Sequence, residues 1–303
     1  MMPKVGLIVL TYNGLELTRA CLDSIRASDY PNLETWVVDN ASVDDTLRTI
    51  RQAYPEVQLL ALPENRGYAG GNNAGIQAAL AHGADLVFLV NNDTALYPDC
   101  ISSLVRALGR HPQAGMAGPM VHTWDDNLIS SAGGQAAWRH ADAVNVGMGE
   151  ADTGQYAERQ VDFINGCSLM VTRAAIESAG LLDERFFMYW EEVDWAMRFR
   201  ALGWEIWFEP EARIRHKAPI QWQGQRPTTL YYVTRNRLFF MLRYAPWPGK
   251  PLAVARALWG AWRGIRQHQQ AGRLVHARAT QLAIRDALQR RWGRIDWVPG
   301  PPP

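Results

Sequence analysis

An apolar run, Leu86 to Val90, stops abruptly in Asn91-Asn92-Asp93-Thr94, and this junction constrains the fold more than any other stretch. The run reads as a buried strand. In an open α/β sheet, ligands sit beyond the carboxyl ends of the strands, so two amides and a carboxylate there face a binding crevice. Asp93 offers the hard oxygen ligands that a divalent cation holding a diphosphate needs.

The chain around this junction alternates strand and helix. Val5–Leu10, Glu34–Val38, Val57–Leu62 and Asp85–Val90 read as strands. Between them lie helical patterns at Leu15–Arg26, from Asp44-Asp45 towards Tyr54 with the acids in the first turn, and at Asn72–His82. Helices of this length between strands imply right-handed crossovers and a mostly parallel sheet. Pro98–Arg110 reads as a helix with Pro in its first turn. From about Thr123 to Gln160 Gly, Asp and Ala dominate, and the pattern weakens to loop with short strands. Phe163–Thr172 is strand material around Gly166, Ala174–Ala179 a helix closed by Gly180, Glu191–Leu202 a helix closed by Gly203, and Trp204–Glu209 a strand. Beyond His216, a polar linker at Gln221–Arg226 precedes a helix at Leu230–Tyr244. Pro246, Pro248 and Pro251 mark a break, and Leu252–Arg294 holds two helices.

At 303 residues the chain can bury one large core or two smaller ones. A net charge of +1 gives no global field for nucleic acid or an acidic partner. Cys21, Cys100 and Cys167 are odd in number and far apart, which argues against a disulfide framework or a zinc site and favours a reducing compartment. The start of the chain lacks a signal-peptide pattern, and no apolar run approaches a membrane span, so a cytoplasmic location is expected. The C-terminal region carries Arg256, Arg263, Arg266, Arg273, Arg278, Arg285, Arg290, Arg291 and Arg294 against only Asp286 and Asp296. Trp259, Trp262 and Ile265 fall at helical spacing among those arginines. Arg and Trp on one amphipathic helix suit an anionic bilayer, giving a peripheral place on the inner face of the cell membrane. A solvated face or a homo-oligomer contact is the other reading. No nucleic-acid-binding module appears.

Three further strand exits carry polar motifs. The first strand ends in Thr11-Tyr12-Asn13. The second ends at Asp39-Asn40, where a carboxylate can accept from the imide of a pyrimidine or from a ribose hydroxyl. The third is followed by Asn65-Arg66-Gly67-Tyr68-Ala69-Gly70-Gly71-Asn72-Asn73-Ala74-Gly75, a Gly-rich loop that opens a helix and can bring backbone N–H groups to an anion. Its glycines are misplaced for a dinucleotide fingerprint or a P-loop. Asn72 and Asn73 also read as helix caps, Tyr68 and Trp190 as packing aromatics, and Cys167 as a small buried residue.

Thr11-Tyr12-Asn13, Val38-Asp39-Asn40-Ala41-Ser42, the loop from Asn65 to Asn72, Leu89-Val90-Asn91-Asn92-Asp93 and Tyr189-Trp190-Glu191-Glu192-Val193-Asp194 occur in that order. Together they resemble the family 2 inverting glycosyltransferases of the GT-A fold, especially the rhamnosyltransferase-like branch, over roughly residues 5–240. The resemblance implies an α/β fold with a mostly parallel central sheet, helices on both faces and a helical C-terminal extension. The division it suggests is a GT-A domain over 1–226, with a nucleotide-binding half to about 122 and an acceptor half over 123–226. The helical extension would cover 227–297 and a disordered Pro-rich end 298–303. It implies a dTDP- or UDP-linked donor, with rhamnose as the leading sugar, and a glycan or lipid-linked saccharide acceptor. It also implies a divalent metal, Mn²⁺ or Mg²⁺.

By the same resemblance Thr11, Tyr12, Asn13, Asp39, Asn65, Arg66, Gly67, Asn72 and Asn92 would hold the nucleotide, and Asp93 with His216 the metal. Gly166, Glu191 and Arg235 would meet the diphosphate or acceptor. Direct transfer needs a carboxylate to take the acceptor proton, with the leaving diphosphate stabilised separately. Glu192 stands where the family has Asp and is the preferred base. Asp194 is the second candidate, with an intrahelical salt bridge to Arg198 as its alternative reading. The family usually has an acid at both ends of the Asn91-Asn92-Asp93 triplet, so Asp93 is left as the one carboxylate ligand there. Rival readings are a nucleotidyltransferase, a NAD-dependent enzyme, and a catalytically inactive sugar-nucleotide-binding or scaffold subunit. The first two lack their Gly-rich loops after strand one, where Thr11-Tyr12-Asn13-Gly14 stands.

Overall fold

Alternate residues of the central strands are buried on opposite faces, and this sets the architecture. In the computed structural model, which describes residues 2–217 and 226–295, Val5, Leu7 and Val9 pack on one side of the sheet and Ile8 on the other. Burial on both faces is why these strands read as near-continuous apolar runs.

The first half comprises β1 (Val5–Thr11), α1 (Leu15–Arg26), β2 (Leu33–Asp39), α2 (Thr46–Ala53), β3 (Gln58–Ala61), α3 (Gly67–Ala81), β4 (Leu86–Asn91), β5 (Thr94–Leu96) and α4 (Cys100–Arg110). There follow β6 (Ala114–Thr123), β7 (Ile129–Ser131), β8 (Gly134–Ala137), β9 (Asp142–Asn145), β10 (Arg159–Gln160) and β11 (Ser168–Thr172). The rest is α5 (Arg173–Ala179), α6 (Glu191–Ala201), β12 (Glu205–His216), α7 (Pro227–Tyr244), α8 (Lys250–Gln270) and α9 (Leu274–Leu288).

The sheet runs β10-β12-β6-β11-β4-β1-β2-β3, with β5 and β7 paired at its rim. All strands on that path point the same way except β10 and β11, which are antiparallel to their neighbours. One face packs on α1 and α4 through Leu22, Ile25, Ile101 and Leu104. The other packs on α3 and α6 through Ile76, Ala79, Trp195 and Phe199. Leu238 and Phe240 of α7 and Ala253 and Ala257 of α8 enter that same core. The C-terminal helices are thus built onto the sheet's second layer.

Several boundaries differ from expectation. β6 was hidden by Gly115, Gly118 and Pro119. A Cβ on Gly118 would collide with Ile164, and one on Gly115 would lie 2.9 Å from Trp204 Cβ, so small residues let this strand sit under close neighbours. Pro119 stands where the β6–β12 register slips between Glu209 and Arg213, as suits a residue with no N–H to give. α3 starts at Gly67, so the Gly-rich segment is the helix's first turns and Asn72 and Asn73 are interior, not caps. Pro98 precedes α4, whose N-cap is Asp99, and the acids Asp44 and Asp45 precede α2. Gly166 lies ahead of β11, not within it. β12 continues past Glu209 to His216. The linker expected at 221–226 lies outside the described residues except for Arg226, as does the 298–303 end.

Gly118→Ala is expected to lower stability by about 1–3 kcal/mol, the usual effect of overpacking, with the loss read from the midpoint of denaturant unfolding.

Candidate active site

A crevice of about 1230 Å³ opens along the carboxyl ends of the strands. Asp93, two residues past the end of β4 at Asn91, lines it. β12 returns beside it because its last residues pair with β5, His216 opposite Thr94, and Lys217 N–H bonds the Asp93 carbonyl. This ladder brings together residues far apart in sequence, leaving His216 Nε2 3.2 Å from Asp93 Oδ1. Burial works against both charges. The His216 contact nevertheless holds the Asp93 carboxyl below the usual carboxylate range. Against burial, Cys167 and Asp93 push the His216 pKa up to about 10. Among the described residues no cluster of three or more His, Cys, Asp or Glu stands at metal-holding distance. A carboxylate beside a histidine fits a divalent ion that takes its other ligands from a diphosphate, with His216 giving up its proton as the ion binds.

The expected nucleotide residues divide into two groups. Thr11, Tyr12, Asn65, Gly67 and Asn92 line the crevice. Asn92 Nδ2 donates to Thr11 Oγ1 at 3.3 Å and Thr18 Oγ1 at 3.1 Å, fixing its amide at the mouth of β1. The other four do not line it, and each has a partner within the protein. Asn13 Oδ1 accepts from Val43 N–H, and both Asp39 carboxylate oxygens face Ser42 N–H at 3.3 Å. Arg66 forms an ion pair with Glu184. Asn72 is buried and donates to the Tyr68 carbonyl one turn back, so it cannot reach a nucleotide as expected. Gly67 has φ +69°, and a Cβ there would strike the Phe187 carbonyl, so the close approach it permits is to protein backbone.

The base candidates enter on a strained turn. Phe187, Tyr189 and Trp190 all have positive φ, 66°, 67° and 76°, and α6 begins immediately after. Asn236 on α7 holds this turn, its Nδ2 lying 2.9 Å from the Phe186 carbonyl and 2.8 Å from those of Met188 and Tyr189. Arg235 donates to the carbonyls of Arg185, Phe186 and Gly293. Arg235 is fully buried against Tyr231, Tyr232 and Trp292, and it does not line the crevice. Its expected contact with diphosphate or acceptor is therefore corrected to a structural clamp.

Glu191 and Glu192 both line the crevice, and each has a buried Oε2 without a partner. Burial pushes Glu192 up to about 7, while backbone N–H groups at the start of α6 and at Gly166 pull the other way. Burial and then the neighbouring Glu192 charge push Glu191 well above the usual range. Gly166 lies beside Glu192, and its carbonyl accepts from the Tyr68 hydroxyl. Asp194 is different. It is fully buried outside the crevice lining, between Arg198 at 2.9 Å, Arg243 at 2.9 Å and the Tyr244 hydroxyl at 2.7 Å. With both oxygens held, it cannot serve as the base.

Sequence reasoning assigned no site role to Asn40, Tyr68 or Asn236. Asn40 donates to Asn65 Oδ1 and the Gly67 carbonyl and accepts from Arg66 N–H, so it shapes the β3–α3 turn. Its signal was its place beside Asp39 in the Val38–Ser42 motif. Tyr68 and Cys167 line the crevice, though both read as packing residues. Asp194→Ala leaves two arginines without their carboxylate and should destabilise the fold by about 3 kcal/mol, measured by chemical denaturation.

The model of the family described as "Glycosyl transferase family 2" matches residues 7–177, more than half of the chain. An N-acetylglucosaminyl-diphospho-decaprenol L-rhamnosyltransferase of Mycobacterium tuberculosis is 28% identical over 280 residues, covering 83% of this chain and 89% of its own. The low-salt glycan biosynthesis hexosyltransferase Agl10 of Haloferax volcanii is 24% identical, covering 78% and 75% respectively. Among solved structures, the mannosyltransferase PcManGT of Pyrobaculum calidifontis in complex with GDP-Man and Mn²⁺ superposes with TM-score 0.60 at 18% identity, over 96% of this chain and 88% of that one. S. aureus TarS 1-349 with UDP gives 0.58 at 15% identity, over 98% and 95%. These likenesses agree with the mostly parallel sheet, the paired helical layers and the C-terminal helices in identifying the GT-A fold. The chain belongs to glycosyl transferase family 2, and it is similar to the rhamnosyltransferase-like members of that family.

Proposed function

We propose that this protein transfers a hexosyl group, with rhamnose as the leading sugar, from a dTDP- or UDP-linked donor to a hydroxyl of a lipid-linked or cell-surface glycan, with inversion. The observation that carries this reading is the Glu192 carboxylate. It sits in the crevice with one oxygen unpartnered and its pKa raised to about 7. A general base works best when its pKa lies near the operating pH. Glu192 takes the proton of the acceptor hydroxyl as that oxygen bonds to the anomeric carbon, and the bond to the nucleoside diphosphate breaks on the opposite face. Burial and the neighbouring Glu192 charge favour the protonated form of Glu191, which can donate a hydrogen bond to the acceptor. Thr11, Tyr12, Asn65 and Asn92 form the nucleoside end of the crevice. Asp93 and His216 would hold a divalent ion, which when bound offsets the charge of the diphosphate. The sugar and the lipid-linked acceptor rest on likeness to the mycobacterial rhamnosyltransferase.

Glu192→Gln should lower transfer by about two to four orders of magnitude while leaving donor binding intact in calorimetry. Transfer near the parent rate would assign the base to another group. Because the base acts ionised and its pKa is raised, transfer by the parent should climb as pH rises through about 7 and plateau above it. A flat profile from pH 5 to 9, with chemistry limiting, would contradict the assignment.

With only Asp93 and His216 contributed by protein, Mn²⁺ should bind weakly to the free chain and much more tightly once the nucleoside diphosphate is present. Titration calorimetry with and without UDP or dTDP checks this, and tight binding to the free chain would count against the two-ligand site. Asp93→Asn should remove the nucleotide-dependent gain.

A further inference from the structure

Helix α8 has two faces of different character. Ala257, Gly260, Ala261 and Gly264 line the crevice. On the outward half of the helix, Leu252, Trp259 and Trp262 are 54%, 58% and 52% exposed, with Arg256, Arg263 and Arg266 exposed among them. The Arg263 guanidinium lies over the Trp259 ring at 4.7 Å, and that of Arg266 over Trp262 at 5.4 Å. Exposed apolar groups continue beyond both ends, at Trp247 before the helix and at Leu274 and Val275 after it. The whole helix contains no Asp or Glu. Chain 250–295 carries ten Lys or Arg against one acid, Asp286, so the near-neutral total conceals a basic region.

Three physical arguments decide what covers this face. A merely solvated helix face mixes both charge signs and does not hold two indoles open to water. A two-fold contact between copies would set arginine against arginine with no acid on α8 to pair them. An anionic bilayer satisfies both groups at once, since indoles prefer the headgroup boundary and guanidinium groups bind lipid phosphates. A helix of 21 residues, about 31 Å long, can lie flat in that layer. No described helix is long and apolar enough to cross a membrane, so the contact would be peripheral.

We propose that α8 docks on an anionic lipid bilayer, with Trp259 and Trp262 at the acyl boundary and Arg263 and Arg266 on the lipid phosphates. The crevice, lined by the opposite face of α8, then lies one helix diameter, about 10 Å, from the membrane, within reach of a substrate still anchored in the lipid. The docking itself does not depend on the transfer reading above.

The test is sedimentation of the full chain with vesicles of phosphatidylglycerol and phosphatidylcholine, against vesicles of phosphatidylcholine alone. Co-pelleting only with the anionic vesicles, weakened by salt and accompanied by a blue shift of tryptophan emission, is the expected result. The variants W259S/W262S and R263Q/R266Q should each bind about tenfold more weakly or worse, with unchanged melting temperature and unchanged donor hydrolysis in the absence of vesicles. Equal binding to both vesicle types, or parent-like binding by both variants, overturns the proposal. A parent dimer that W259S/W262S dissolves would assign the face to a second copy. A monomer that binds no vesicle would assign it to cover by the chain itself.

Discussion

The turn from Arg185 to Trp190 depends on two neighbouring side chains of α7, the Asn236 amide, whose nitrogen faces three of its carbonyls, and the Arg235 guanidinium, which donates to two. Non-glycine residues at positive φ cost of order 1 kcal/mol or more each, and this turn holds three. Hydrogen bonds that satisfy buried carbonyls, each worth about 1 kcal/mol net, are of the right size to hold it. The result is directional. α6 starts where the turn ends, so the turn's shape decides where the first helical side chains, Glu191 and Glu192, project. Gly67 completes the fit from α3, because any side chain there would push the Phe187 carbonyl away.

Electrostatics then separates acids that look alike. Glu191, Glu192 and Asp194 share the first turn of α6. Asp194 meets Arg198, Arg243 and Tyr244 and is neutralised inside the protein. Glu191 and Glu192 meet the crevice, where burial raises both and each raises the other's difficulty of ionising. Two such neighbours cannot readily both be charged, so protonation of one favours ionisation of the other. The opposite pole is Asp93, where His216 keeps the carboxylate ionised. The crevice therefore holds one carboxyl raised to about 7 and another held below the usual carboxylate range.

Much of the nucleotide half was legible in the sequence because two demands coincide there. Strands buried on both faces give unbroken apolar runs, and their exits carry the polar triplets at Thr11, Asp39 and Asn91. The later half was less legible, since its positions are set by tertiary neighbours. β6 needs Gly115 and Gly118 to pass under Trp204 and Ile164, and those glycines erase its strand signature. The roles of Asp194 and Arg235 turn on partners 50 or so residues away, which spacing along one helix does not show. Asn72 looked like a cap because small residues and glycines masked two helical turns ahead of it. His216 could be noticed as a lone histidine, but only the pairing of β12 with β5 puts it against Asp93.

The grip on the turn ahead of α6 comes from far along the chain. Arg235 and Asn236 reach back to Arg185–Tyr189, and the Gly293 backbone closes the same knot by donating to the Arg185 carbonyl and accepting from Arg235. Every described strand of the sheet precedes Lys217, yet the turn that sets Glu191 and Glu192 is fastened by Arg235, Asn236 and Gly293. A chain shortened ahead of α7 would thus keep the strands and lose the hold on those two carboxyl groups.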